Sequence, residues 1–160
     1  MLDLGRAGVA VFCAAGNDAT ARPSYPAAFA TDSAFMDDPA VVPSSSVAAL
    51  NPNGSVAAFS NYGDWVTSFA LGVNVVSSIP IDADGSQSTP YLIAEPGHRS
   101  RSAVDPDNFR SGFASWSGTS FAAPILAGAY LRALCDVPGP ISVGQRRQLV
   151  LANRSSLGRG

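Results

Sequence analysis

A chain of 160 residues has room for one domain, or a piece of one, and not for two of ordinary size. Its 46% apolar residues and only 14% charged, against roughly 25% charged in an average globular domain, exclude disorder and point to a buried, close-packed segment. A net charge of -2 with no block of basic residues leaves no electrostatic footprint for nucleic acid or an anionic membrane, and no apolar run approaches the ~20 residues needed to span a bilayer.

Met1 to Ala7 reads as the tail of a helix. Arg6 ahead of an apolar run has the outline of a secretory signal, but Asp3 sits in the would-be basic region. Gly8 to Ala15, rich in valine and alanine, reads instead as a strand buried on both faces of a parallel sheet. From Asn17 to Pro43 the chain is polar and broken by Pro23, Pro26, Pro39 and Pro43, a long loop with Tyr25 and Phe29 as expected anchors on the core. Val47 to Leu50 is a second strand, and Asn51 to Gly54 a tight turn into Val56 to Phe59. Trp65 to Leu71 and Val73 to Ile79 are two more strands, separated by Gly72.

Residues 80–112 gather charges with little periodicity and read as a surface insertion. Phe113 to Trp116 is a short strand. Thr119 to Leu134 is apolar around its whole circumference, the pattern of a helix buried in the middle of its domain. Residues 142–160 supply a last amphipathic helix and a tail. Cys13 and Cys135 lie in apolar stretches and are too few for a disulfide framework, so each reads as a small buried packing residue.

Two segments carry chemistry. The first is Ser117, Gly118, Thr119, Ser120, Phe121, Ala122, Ala123, Pro124, running straight into the buried helix. A serine on the first helical turn lies beside free backbone N–H groups and the positive end of the dipole, which favour charge developing there. Gly118 lets a substrate backbone approach, Thr119 is a fair N-cap, and Pro124 falls early enough that its missing N–H costs little. The plainer alternative is that Thr119 and Ser120 only cap a core helix. The second segment is the strand delivering Ala14, Ala15, Gly16 and Asn17 to a loop, for which the plainer alternative is a turn-forming asparagine.

Together these segments resemble the subtilase family of serine proteases. The first resembles its nucleophile motif, a Gly-Thr-Ser followed by a small residue and proline. The second resembles its oxyanion segment, in which the asparagine amide donates to the tetrahedral intermediate beside the N–H of the nucleophile. Weaker matches keep the family's order: Tyr25, Pro26 and Ala27 resemble a Tyr-Pro-Ala that helps shape the specificity pocket, and Phe59 to Gly63 resembles a Phe-Ser-Asn-x-Gly turn. Ala48 stands where glycine is usual, and Leu71 where Ala-Pro-Gly has its proline. The resemblance implies an α/β fold, a partial subtilisin-like three-layer arrangement with a mostly parallel sheet, residues 1–160 being the C-terminal part of the peptidase domain. It also implies Ser120 and Asn17 as catalytic residues, Ala15, Gly16, Tyr25, Gly118 and Thr119 as substrate-binding residues, and a peptide or protein substrate.

The histidine and aspartate of such a site are not recognisable. The sole histidine, His98, is followed by Arg99 and Ser100 inside the polar insertion rather than by a Gly-Thr leading a helix, and no Asp-Thr/Ser-Gly occurs. Asp82, Asp84 and Gln87 lack the remaining ligands and closing glutamate of a calcium loop, so no metal or cofactor is expected. The missing N-terminal half of the same domain is therefore the expected partner, and the isolated chain is expected to be inactive and poorly soluble. An α/β-hydrolase elbow fails because its fifth residue would be Ala122 and no histidine follows the serine. A split or degenerate protease serving as a peptide-binding module is the non-enzymatic alternative. The resemblance favours an exported protein, with no targeting signal of this chain's own.

Overall fold

The computed structural model describes residues 1–82, 96–97 and 111–154. The elements in chain order are α1 (Leu2–Arg6), β1 (Phe12–Ala14), a 3-10 turn (Ala27–Thr31), α2 (Ser33–Met36), β2 (Ser45–Leu50), β3 (Ser68–Leu71), β4 (Val75–Ser78), β5 (Phe113–Trp116), α3 (Thr119–Cys135) and α4 (Val143–Ala152). Met1–Val75 with Ser117–Gly160 forms one unit, and Val76–Trp116 a second.

The first unit is organised on a parallel sheet in the order β1-β2-β3, with Cys13 opposite Ser46 and Ala48 opposite Phe69. Side chains alternate across a strand, and the sequence uses both faces. Phe12, Ala14, Val47, Ala49 and Ala70 turn to one side, where Ala122, Ala123 and Leu126 of α3 cover them. Cys13 and Ala15 turn to the other, against Ala27, Ala28 and Trp65. With both faces covered, the central run Val47, Ala48, Ala49 is fully buried, and its small side chains let the layers approach closely.

The segment between β1 and β2 is more ordered than a bare loop. Its anchors are Ala27, Ala28 and Ala30 in the 3-10 turn, not Tyr25, which is 66% exposed and lies on the half-buried Phe29 ring. Asp32 caps α2 by accepting from the Ala34 N–H, and two arginines of the C-terminal region tie α2 and its flanks down. The Arg147 guanidinium donates to the carbonyls of Phe35, Met36, Asp38 and Val41, and Arg154 to those of Ala30 and Ser44. Ser142 and Gln145 form a reciprocal capping box at the start of α4, satisfying donors that the helix leaves free.

Three further expectations are corrected. The helix from Thr119 buries one stripe, Thr119, Ala122, Ala123, Leu126 and Tyr130, while Ile125 is 40% and Leu131 60% exposed; among the described residues nothing packs on that outer side. Cys135, its last residue, is exposed for the same reason, whereas Cys13 is half-buried. The N-cap of α3 is Gly118 without a side-chain bond, because the Thr119 hydroxyl is engaged elsewhere.

In the second unit β4 and β5 form a two-stranded sheet, and the Ile79 N–H donates to the Gly112 carbonyl. The remainder of the 80–112 insertion falls mostly outside the described residues, as do His98, Asp84, Gln87 and the tail from 155. Among the described residues no helix is long and apolar enough to cross a membrane.

Tyr130 sits at the junction of α3, α4 and Phe12, with its hydroxyl buried and unpartnered among the described residues. Burial pushes its pKa above the usual tyrosine range, with Arg146 pulling it partly back. The stability tied to the neutral phenol is complete below the unfolded pKa of about 10 and is lost as pH rises through the higher folded value. Tyr130→Phe should therefore be neutral or stabilising by up to about 1 kcal/mol at pH 7. It should also blunt the loss of stability above about pH 10, as urea titrations at the two pH values would read.

Candidate active site

The two chemistry-bearing segments meet at the carboxyl ends of the strands, where open parallel sheets place their sites. Gly16 and Asn17 leave the end of β1, and Gly72 leaves the end of β3. The Gly118 N–H donates to the Gly72 carbonyl at 2.7 Å and the Asn74 N–H to Ser117 Oγ at 3.0 Å, so the β3 turn holds the residues leading into α3. A Cβ on Gly72 would lie 2.9 Å from the Gly118 oxygen and 2.6 Å from the Ala49 Cβ. Only glycine lets the segment leading into α3 come this close.

Thr119 then joins that segment to the β1 loop. Its hydroxyl accepts from the Gly16 N–H at 3.0 Å and donates to Asn17 Oδ1 at 3.0 Å, while its own N–H donates to the same oxygen at 2.9 Å. The Thr119 N–H is one of the donors that a helix start leaves free, and here a side chain from more than a hundred residues upstream satisfies it. Thr119 is fully buried, and Asn17 and Ser120 on either side of it are exposed.

This geometry orients the Asn17 carboxamide. A backbone N–H can only donate, so the atom facing it is the carbonyl oxygen, and the NH2 with its two donors is turned outward. The Ser120 N–H, also in the first turn of α3, makes no hydrogen bond among the described residues. The arrangement thus holds a hydroxyl, an amide NH2 and a free backbone N–H around one helix N-terminus, where developing negative charge is stabilised.

Of the residues singled out from sequence, Gly16, Asn17, Gly118, Thr119 and Ser120 are brought together. Ala15 is fully buried behind them, its N–H donating to the Val47 carbonyl. Among the described residues no hydrogen bond links Tyr25 to the cluster. Ser117 and Gly72 lie inside the motifs, but their part in holding the segment that leads into α3 had no signal in spacing: Gly72 acts through a backbone contact marked only by the glycine it requires, and Ser117 through a hydroxyl that accepts from the Asn74 N–H. No group of His, Cys, Asp and Glu able to hold a metal ion occurs among the described residues.

The subtilase family model matches residues 3–159. Among solved structures, a cold-adapted subtilisin-like serine proteinase superposes with a TM-score of 0.58 at 22% identity, covering 97% of this chain and 43% of that one. The protease domain of PatA, solved as a serine-to-alanine mutant, gives 0.56 at 21% identity over 93% and 42%. The prenylagaramide maturation protease PagA gives 0.51 at 22% identity over 82% and 34%. At these identities the likeness is one of fold, and the chain spans less than half the length of each of the three. No curated protein matches the chain.

Thr119→Val keeps the side-chain shape and removes the hydroxyl, leaving the Gly16 N–H without its acceptor. A loss of about 1–3 kcal/mol is expected for such an orphaned group, to be read as a shift of the urea midpoint; an unchanged midpoint would show that the hydroxyl does not join the two segments.

Proposed function

The chain belongs to the subtilase family, and we propose that it supplies the nucleophile and the oxyanion-binding groups of a serine endopeptidase. Ser120 Oγ attacks the scissile carbonyl as a base takes its proton, and the Asn17 NH2 and the Ser120 N–H hold the resulting oxyanion. Its collapse breaks the C–N bond, the amine leaves with that proton, and water then hydrolyses the acyl group from Ser120. The observation that carries this reading is the Asn17 oxygen pinned by both donors of Thr119, which leaves the NH2 as the remaining donor, next to Gly118. Gly118 and the Gly16 loop form the wall along which the peptide backbone lies.

A general base must take the Ser120 proton, and a carboxylate must orient that base. Both are assigned to a separate, N-terminal part of the domain, with residues 1–160 as its C-terminal part. Supporting this division, α3 leaves Ile125 and Leu131 exposed and β1 stands at the edge of its sheet, an apolar face and an open ladder that further strands and helices would cover. Without the base, Ser120 is an ordinary alcohol. The handicap is about a millionfold, a figure measured on a subtilisin rather than derived from this chain.

The test is labelling of Ser120 by a fluorophosphonate. The expected outcome is no labelling of the chain alone, labelling when a separately expressed N-terminal part is added, and none with Ser120→Ala. If the added part restores nothing, the chain is better described as a protease remnant that receives peptides without cleaving them. Cleavage of a peptide by the purified, monomeric chain would overturn the division of the site.

A further inference from the structure

Asn17 sits on an exposed loop, yet an oxyanion donor must be held to within about 0.5 Å of its productive position. The bonds to Thr119 fix the tip of the side chain; something must also fix the backbone on either side. Asn61, only 1% exposed, meets that requirement. Its Oδ1 accepts from the N–H groups of Asp18 at 2.9 Å and Thr20 at 3.3 Å. Its Nδ2 donates to the Ala15 carbonyl at 2.9 Å, and its backbone N–H donates to the Gly16 carbonyl at 2.9 Å. One residue therefore bonds to positions 15, 16, 18 and 20, on both sides of Asn17.

The neighbouring residues fit this use. Gly16 has φ +106, and a Cβ there would lie within 2.4 Å of Asn61 Nδ2, so the glycine admits the Asn61 carboxamide as well as the turn. Asn61 itself is anchored to the centre of the sheet: Ser60 Oγ accepts from the Ala49 N–H and donates to the Asn61 carbonyl, and the Ala57 N–H donates to the Ala49 carbonyl. The three partners of the carboxamide also settle its orientation, since two are donors only and one is an acceptor only.

We propose that Asn61 is a positioning residue for the oxyanion donor, transmitting the geometry of β2 to Asn17 through the residues that flank it. The proposal rests on the reading of Asn17 as that donor, and Asn61 touches no substrate atom itself.

The first test needs no turnover. In the full chain labelled with 15N-asparagine, the side-chain amide signals of Asn17 should move in Asn61→Ala and stay in place in Ser46→Ala, which loses buried hydrogen bonds to Trp65 and Thr67 that reach neither Asn61 nor the loop. Asn61→Asp is the second variant: it keeps the volume and both acceptor bonds but sets a carboxyl oxygen against the Ala15 carbonyl in place of the donor, and it should move the same signals. Unmoved signals, signals that move equally in Ser46→Ala, or failure of both Asn61 variants to fold would overturn the proposal. The second test is kinetic, in the chain combined with the N-terminal part. Asn61→Ala should lower kcat about 10- to 100-fold with KM nearly unchanged, below the 100- to 1000-fold loss measured for an oxyanion asparagine of a subtilisin. In an Asn17→Ala background it should cost less than about threefold more. Fully multiplying losses, or a loss confined to KM, would overturn it. Absence of any turnover in the wild type counts against the endopeptidase reading alone, and the spectroscopic arm still decides the role of Asn61.

Discussion

The contact on which the site depends is the one between Thr119 and Asn17, side chains 102 positions apart. A helix start has N–H groups that nothing inside the helix can satisfy. Here the first of them is satisfied by a carboxamide rather than by a cap from its own segment, and the same carboxamide is thereby turned so that its NH2 faces away. A single hydrogen-bond requirement of α3 thus fixes the direction of a donor on another strand's loop. Because Thr119 is fully buried, water does not compete for these bonds, and the exposed neighbours Asn17 and Ser120 inherit their placement from it.

The contact exists only because the sheet brings the two segments to one edge. β1 and β3 are both parallel to β2, so their carboxyl ends lie on the same side, and α3 crosses the face formed by Phe12, Ala14, Val47, Ala49 and Ala70. Small side chains matter as much as apolar ones. The alanines of β2 and α3 keep the layers close, and Gly72 and Gly16 let backbone meet backbone or carboxamide where a Cβ would collide. On the outer side of α3 Ile125 and Leu131 stay exposed and β1 stands at the edge of the sheet, in a chain that spans less than half the length of each of three structures it superposes on.

Much of this is legible in the sequence. Strands with continuous apolar runs, the turn at Asn51 to Gly54, and the helix from Thr119 follow from patterns that local sterics impose, and the two chemical motifs gain their meaning from occurring together and in order. The corrected expectations share one cause. Residue type and sequence neighbours favour capping for Thr119, the core for Tyr25 and a buried position for Cys135, whereas each outcome depends on which distant segment is present to pack or bond. The 3-10 turn and α2 are hidden in a proline-broken stretch whose order comes from carbonyls bound by Arg147 and Arg154, more than a hundred residues away.

The amino-acid sequence by itself determined the family resemblance, the apolar runs that give β1 and β2 two apolar faces, and the hydroxyl and carboxamide that Ser120 and Asn17 bring to the two motifs. These are local properties, set by side-chain chemistry and spacing of two or three to four residues. Only the tertiary structure decided that Thr119 bridges the motifs, that Gly72 seats the residues leading into α3, and that Asn61 brackets the Asn17 loop. Hydrogen bonds between distant segments depend on distances of tenths of an ångström, and those are established by the packing of whole layers rather than by any stretch of chain read alone.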